Sequence, residues 1–349
     1  MSAFVPMTDL QYLRALVALL VALASLPVLS FAAGASTVST NKVTVILVVG
    51  AAGEEEYGKN FAQWAGGWKE ASHRAGANLV TIGLESSQED DYDLLKRALL
   101  AQTKENVAEL WLVLIGHGTF DGKEPKFNLR GPDLPASELA TWMQPFKRPL
   151  AIINSASASA PFLNMLSATG RVVVTATRSG HEQNYARFGQ YLSEAIADAT
   201  ADLDKDGQTS LLEAYLAAAR RTTEFYELEG RLPTEHALLD DNGDGLGTPA
   251  DWFRGIRAVK KARDGATLDG FRAHQFHLVR SESEEKMPPQ VRAKRDELEL
   301  AIAKLRESKS AMKEDDYYQN LETLLLEMAH LYQKGRTNNG RIEGKAADE

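Results

Sequence analysis

The chain of 349 residues contains no cysteine. Disulfide bonds are therefore excluded, and so are metal sites built from thiolates. A cysteine nucleophile is excluded as well, which restricts covalent catalysis to other side chains.

A surplus of basic residues is also missing. Lysine and arginine number 39 against 48 aspartate and glutamate residues, which gives a net charge of −9. Binding to nucleic acid needs clustered cationic side chains, so this balance argues against a nucleic-acid partner. It is compatible with cation binding. Hydrophobic residues make up 44% of the chain, enough to build a globular core.

Long apolar runs are confined to the N-terminus. Arg14 precedes an apolar run over residues 15–29, and the small-residue pattern Ala33-Gly34-Ala35 follows. This layout predicts a signal peptide over residues 1–35, with cleavage before Ser36 and a secreted or periplasmic protein. The alternative is an uncleaved N-terminal anchor that still places the body of the protein outside the cytoplasm. No other segment predicts a membrane span.

Residues 36–200 alternate between strand and helix patterns. Short β-branched runs predict buried strands, and amphipathic segments between them predict helices. This alternation is typical of an α/β fold in which helices cover both faces of a parallel sheet. The predicted strands are 43–49, 78–82, 110–115, 150–153 and 171–175, and the predicted helices include 57–73 and 91–104.

The rest of the chain has a different pattern. Residues 201–280 predict a helical region with acidic loops, and residues 281–285 predict a polar linker. Apolar residues at helical spacing predict a helical hairpin over 286–335 that turns near residues 313–315. A polar tail follows over 336–349. The hairpin either packs on the α/β domain or mediates oligomerisation.

The first acidic loop, residues 202–213, has the spacing of an EF-hand calcium site. Carboxylates stand at loop positions 1, 3, 5 and 12, and a glycine, Gly207, stands at position 6, where the chain must turn sharply. The sequence predicts a Ca²⁺ site here. The alternative is a solvated acidic loop that caps the next helix. The predicted ligands are Asp202, Asp204, Asp206, Gln208 through its carbonyl, Ser210 and Glu213.

A second acidic loop, residues 240–251, repeats the pattern less closely. Gly245 takes position 6, but a proline and a short aspartate occupy the final positions. The sequence leaves a second Ca²⁺ site and a simple Asp/Asn/Gly turn as alternatives. The ligands of this weaker site would be Asp240, Asn242, Asp244, Leu246, Thr248 and Asp251.

Two strand ends carry residues suited to nucleophilic catalysis. The third predicted strand leads into Gly116-His117-Gly118, and the fourth leads into a run of serines and alanines with Ser157 at its centre. In a parallel sheet, adjacent strands bring such residues to one edge. These motifs resemble those of the caspase-like cysteine peptidases, in particular the legumain branch. The resemblance places His117 at the catalytic histidine and Ser157 where the nucleophilic cysteine would stand.

The missing thiol decides what this resemblance implies. A serine hydroxyl is far less acidic than a thiol and needs a well-oriented histidine to become a nucleophile. Two functions follow as alternatives. One is a catalytically inactive peptidase homologue that binds a peptide or protein partner. The other is a hydrolase that uses Ser157 with His117.

Overall fold

A seven-stranded sheet forms the centre of the computed structural model, which describes residues 42–346 and the side chains through residue 333. The predicted signal segment and its cleavage position lie outside the described residues. The strands lie in the order β10-β9-β8-β7-β3-β1-β2. They are β1 Thr44–Val49, β2 Asn78–Ile82, β3 Leu110–Ile115, β7 Leu150–Asn154, β8 Arg171–Thr175, β9 Leu238–Asp240 and β10 Thr248–Pro249.

The five strands predicted from the sequence are confirmed, and they are parallel to one another. All six residues of β1 and all six of β3 are buried, as expected for strands covered on both faces. Residues 201–280, predicted as a helical region, also supply β9 and β10. These two strands run antiparallel and close one edge of the sheet.

Helices pack on both faces of the sheet. Alternate residues of β1 enter two different apolar clusters: Val45 and Leu47 face one layer, while Ile46 and Val48 face the other. The fold is therefore a mixed α/β sandwich, as predicted. Its helices are α1 Glu55–Arg74, α2 Asp91–Leu100, α3 Ala136–Met143, α4 Ala160–Leu166, α5 Phe188–Ala195 and α6 Leu211–Leu228.

Small strands lie outside the central sheet. A three-stranded sheet follows β3 directly and precedes α3, and a two-stranded ribbon follows β10. The members of the first are β4 Gly118–Phe120, β5 Pro125–Phe127 and β6 Leu134–Pro135, and those of the second are β11 Phe253–Arg254 and β12 Arg257–Ala258.

The predicted C-terminal hairpin is present. Helices α8 (Pro289–Ser308) and α9 (Glu314–Ala346) pack against each other, with Leu298, Ile302 and Tyr317 buried between elements. The helix α9 continues over residues predicted as a polar tail. Within residues 42–346, none of the helices combines the length and hydrophobicity that a membrane crossing requires.

The predicted polar linker folds into a short helix, α7 (Glu282–Glu285). Glu284 is buried there and pairs with Arg292 at 3.1 Å and Arg295 at 2.7 Å. A second buried pair, between Arg280 and Glu109 at 2.5 Å, lies just before α7. Glu284 therefore ties the predicted linker to α8, and Arg280 ties the segment just before it to the start of β3.

Candidate functional site

His117 and Ser157 lie at the same edge of the sheet, as the sequence predicts. Strands β3 and β7 are parallel neighbours, and each of these residues follows the carboxyl end of its strand. The Ser157 hydroxyl is buried. It donates a hydrogen bond to the Gly118 carbonyl at 3.1 Å, and it accepts one from the Gly118 N–H at 3.2 Å.

The His117 ring is held by the backbone through one of its two nitrogens. Its Nε2 lies 3.2 Å from the carbonyl oxygen of Ala52, so Nε2 carries the hydrogen and donates it there. The rings of Tyr57 and Phe61 approach edge-on, with centroids 4.9 and 5.1 Å away. Burial lowers the pKa of His117. Among the described residues, no hydrogen bond joins His117 to Ser157.

The neighbouring serines are also engaged by the backbone. Ser155 donates its hydroxyl hydrogen to the Leu114 carbonyl at 2.8 Å. Ser159 accepts hydrogen bonds from the N–H groups of Ala176 and Thr177 at 3.1 and 3.2 Å. The serines of this turn therefore tie β7 to β3, β4 and the segment after β8. This is a structural use of hydroxyl groups.

A histidine–glutamate pair that the sequence did not predict lies beyond β8. His236 Nδ1 is 2.6 Å from Glu182 Oε1, and the second carboxylate oxygen of Glu182 accepts the Arg178 N–H. Glu182 also accepts through its backbone carbonyl from Ala158 at 2.8 Å. The pair joins the serine turn to the start of β9. The separation in sequence between residues 182 and 236 hid it.

The first acidic loop has a regular pattern of internal hydrogen bonds. Asp202 accepts from the N–H groups of Lys205 and Gly207 at 2.7 and 3.1 Å. Asp204 accepts from Asp206, and Asp206 from Gln208. Both Lys205 and Gly207 have positive φ, at 64° and 91°, and these values fold the loop back on itself. Carboxylate oxygens of the three aspartates lie within 4.8 Å of one another.

Glu213 closes the first loop from the first turn of α6. It is fully buried. One carboxylate oxygen accepts from the N–H groups of Leu203 and Asp204, and the other accepts from the N–H and hydroxyl of Ser210. Ser210 is the N-cap of α6, and the two side chains form a capping box. The loop therefore caps the helix, as one interpretation predicts, and it also brings the three predicted aspartate ligands close together.

One residue at this loop was missed by sequence analysis. His274 Nε2 lies 2.9 Å from Asp204 Oδ2. Asp204, Glu213 and His274 form a second group whose ligand atoms lie within 4.8 Å of one another. The separation in sequence between residues 204 and 274 hid this contact.

The second acidic loop repeats these contacts. Asp240 accepts from the N–H groups at positions 4 and 6, Gly243 and Gly245, at 3.0 and 2.9 Å. Asn242 accepts from Asp244, and Asp244 from Leu246, both at 2.8 Å. The two glycines have φ of 85° and 76°. The loop therefore has the conformation of the first one, rather than that of an ordinary turn.

The residue that closes the second loop differs from the prediction. Asp251 is exposed in a short 3₁₀ helix, and its carboxylate makes no hydrogen bond to the loop in the described part of the chain. The buried Asp269 occupies that place. It accepts from the N–H groups of Asp241 and Asn242 at 3.0 and 3.2 Å, and from the Thr248 hydroxyl at 2.6 Å.

Negative charge is concentrated behind this loop. Asp240, Asp241 and Asp269 are each at most 5% exposed. Burial raises the pKa of Asp269 to about 8, and the charge of Asp241 adds to the effect. Burial also raises the pKa of Asp241. Burying three ionised carboxylates together is unfavourable unless protons or a cation balance their charge.

Comparisons with known proteins find similarity among solved structures. No protein-family model matches the chain, and no curated protein matches it in sequence. Among solved structures, the Drosophila initiator caspase Dronc aligns with a TM-score of 0.39 and 13% identity, covering 59% of this chain and 82% of that one. Caspase-1 from Spodoptera frugiperda aligns with a TM-score of 0.37 and 9% identity, covering 58% and 86%. A protein from Geobacter sulfurreducens aligns with a TM-score of 0.38 and 11% identity, covering 57% and 92%.

Proposed function

We propose that this chain is an exported, calcium-stabilised relative of the caspase-like peptidases that has lost catalysis and binds a peptide or protein. The observation that carries the loss of catalysis is the direction of the Ser157 hydroxyl. It is bound on both sides by the Gly118 backbone, while His117 donates its Nε2 hydrogen to Ala52. A general base must reach the hydrogen of its nucleophile. Here the Ser157 hydroxyl gives its hydrogen to the Gly118 carbonyl rather than to His117 Nδ1, the ring nitrogen that the Nε2–Ala52 bond leaves as an acceptor.

The alternative hydrolase needs a different arrangement. For Ser157 to attack a carbonyl, its side chain would have to leave two buried hydrogen bonds and give its hydrogen to His117 Nδ1, while Nε2 could keep its bond to Ala52. Among the described residues, no carboxylate supports His117 in the way that a catalytic triad requires. We therefore favour binding of a peptide or protein without catalysis over hydrolysis.

The calcium proposal rests on two loops with one hydrogen-bonding pattern. Hard oxygen ligands converge in each, and Ca²⁺ takes six to eight such ligands. A carboxylate oxygen that accepts an N–H retains lone pairs for a cation. We assign the first site to Asp202, Asp204, Asp206, Gln208, Ser210 and Glu213, and the second to Asp240, Asn242, Asp244, Leu246, Thr248 and Asp269.

Export agrees with this assignment. The N-terminal sequence predicts a route out of the cytoplasm, and extracellular calcium modules work at affinities near the millimolar range. Calcium there would balance the carboxylates of both loops and fix β9, β10 and α6 on the sheet.

Two measurements test the proposal. Calcium is titrated into chelated protein by calorimetry, and the melting temperature is followed in parallel. We expect saturable heat and a higher melting temperature, since a ligand that binds the native state stabilises it. In Glu213→Gln the response of the first site should be lost. No heat and no stabilisation at millimolar calcium would remove calcium from the proposal.

Catalysis is tested separately with unstructured protein substrates and fluorogenic peptides. We expect no turnover above a buffer control. Turnover that disappears in His117→Ala would support the hydrolase instead.

A further inference from the structure

A cavity of about 480 Å³ opens next to Tyr57, whose ring contacts that of His117. It lies between the first turn of α1, the segment before α5 and the chain that follows α6. Tyr57 and Tyr185 form its inner side; their rings stack at 4.7 Å, and Tyr57 also contacts the ring of His117. No residue of the serine turn, 155–159, belongs to its lining. The cavity is therefore separate from the position of the nucleophile.

Arg187 stands in this cavity with its planar group held by aromatic rings. Its Cζ lies 4.3 Å from the ring centroid of Phe225 and 5.5 Å from that of Tyr185. Among the side chains of residues 42–333, no carboxylate lies within salt-bridge distance of its guanidinium, and its side-chain N–H groups make no hydrogen bond. A guanidinium that rests over aromatic rings without a carboxylate partner keeps its N–H donors available for a planar anion.

The backbone of Arg187 is fixed from behind. Glu235 is 3% exposed and accepts the N–H groups of Arg187 and Phe188 at distances from 2.8 to 2.9 Å. Tyr226 donates to the same carboxylate at 3.0 Å. Glu235 therefore spends its hydrogen bonds on the start of α5. Burial raises the pKa of Glu235 and the charge of Arg187 acts to lower it, but no hydrogen bond joins the two side chains. Arg187 is positioned before any ligand arrives, which lowers the entropy cost of binding.

The remaining lining suits a single negative charge. Arg231 adds a second guanidinium, and Asn60 and Thr234 add neutral polar groups. Glu56 also lines the cavity, and Glu235 lies behind its wall. These two acids disfavour a doubly charged phosphate. A carboxylate carries one charge and matches the guanidinium fork in two parallel hydrogen bonds.

We infer that this cavity binds a carboxylate, with Arg187 as the principal contact and Arg231 as the second. The inference concerns a site separate from both acidic loops and from the serine turn. The carboxylate has two possible sources in a peptide, an acidic side chain or a free C-terminus, and both would present the same planar group.

The test uses three acetylated pentapeptides and ¹⁵N-labelled protein. One is Ala-Ala-Asp-Ala-Ala with an amidated end, one is penta-alanine with a free carboxylate, and the control is Ala-Ala-Asn-Ala-Ala with an amidated end. The arginine Nε–Hε signals are followed to about 10 mM peptide, a range that covers a weak site built on one bidentate ion pair. We expect a saturable shift of the Arg187 signal with one or both carboxylate peptides and none with the control.

Variants then assign the contact. Arg187→Gln should weaken carboxylate binding at least tenfold. Arg187→Lys should also weaken it, because lysine keeps the charge but lacks the fork. Arg254→Gln, at an exposed arginine outside the cavity, is the matched control. Equal shifts with the asparagine peptide, no shift with any peptide, or unchanged binding in Arg187→Gln would each overturn the inference. The wild-type comparison decides even if a variant fails to fold. None of these results bears on calcium binding or hydrolysis, which have their own assays.

Discussion

Asp269 accepts in the second acidic loop the hydrogen bonds that Glu213 accepts in the first. Each carboxylate takes the N–H groups at loop positions 2 and 3 with one oxygen, and the position 9 side chain with the other. Glu213 comes from within its own loop, whereas Asp269 comes from a later segment of the chain. The two loops are therefore equivalent in space although their sequences diverge at the last position.

This equivalence predicts opposite results for two aspartates. Asp269→Asn should abolish binding at the second loop or weaken it at least tenfold, because calcium loses an anionic ligand there. Asp251→Asn should leave calcium binding unchanged. Calorimetry on the two variants, beside wild type, measures the difference. Melting curves in chelator separate the loss of ligand from any change in the calcium-free protein. Weaker calcium binding in Asp251→Asn with normal binding in Asp269→Asn would instead show that Asp251 is the closing ligand, as the sequence predicts.

Ser157 is expected to matter for stability rather than for rate. Replacing it with alanine leaves the buried N–H and carbonyl of Gly118 without their partner, at a cost of about 1–3 kcal/mol. Urea unfolding of Ser157→Ala measures this cost. Ser157→Cys provides the chemical control, since it introduces a thiol at the same position. We expect the thiol variant to hydrolyse nothing, because its side chain faces the Gly118 backbone. Hydrolysis by the cysteine variant would show that His117 reaches this position.

Asp296 predicts a pH dependence in the attachment of the helical hairpin. Burial raises its pKa to about 6, although Arg295 pulls in the opposite direction. A carboxyl with a raised pKa favours the folded state while it is protonated, and this contribution is lost as the pH rises from about 4 to about 6. Wild type should therefore lose about 1–2 kcal/mol of stability relative to Asp296→Asn between pH 4 and pH 7. Denaturant unfolding of both proteins across this range measures the difference, and a constant difference would contradict it.

The pair between Arg280 and Glu109 predicts a strong asymmetry between single and double variants. Both side chains are only 13% and 11% exposed. Removing one partner from a buried pair leaves an uncompensated charge and costs about 3–5 kcal/mol. Arg280→Met and Glu109→Gln should each destabilise the protein by an amount of this order, and the double variant by less than the sum. A double-mutant cycle in urea tests this, with the exposed pair of Lys147 and Glu105 as the control. Additive losses at the buried pair would mean that the two charges are not coupled.

The central strands could be predicted closely because a strand buried on both faces has an uninterrupted apolar sequence. Runs such as residues 110–115 are apolar at every position, and their ends agree with the structure. The meeting of His117 and Ser157 at one sheet edge followed from the order of parallel strands. The direction of the Ser157 hydroxyl did not follow, since it depends on Gly118, which approaches so closely that a Cβ there would lie 2.3 Å from the Ser157 carbonyl oxygen.

Contacts between distant segments escaped prediction for the same physical reason. Asp269 and His274 carry no local sign of the loops that they complete. Glu284 lies in a stretch whose charge suggests solvent, and only the facing arginines of α8 make its burial favourable. Local spacing predicted a ligand at Asp251 because it stands at loop position 12, the position that Glu213 takes in the first loop. A sequence pattern cannot reveal that another segment supplies the same oxygen atoms.

The second acidic loop is also the connection between the last two strands of the central sheet. Asp240 ends β9 and Thr248 begins β10, and β9 covers the edge of the fully buried strand β8. An uncovered edge of this kind is a template for pairing with another chain. A cation bound at this loop would therefore hold β9 and β10 in place at the edge of the sheet. Removal of the cation would expose the apolar edge of β8, so that the calcium concentration around the protein would determine whether its molecules stay monomeric or aggregate.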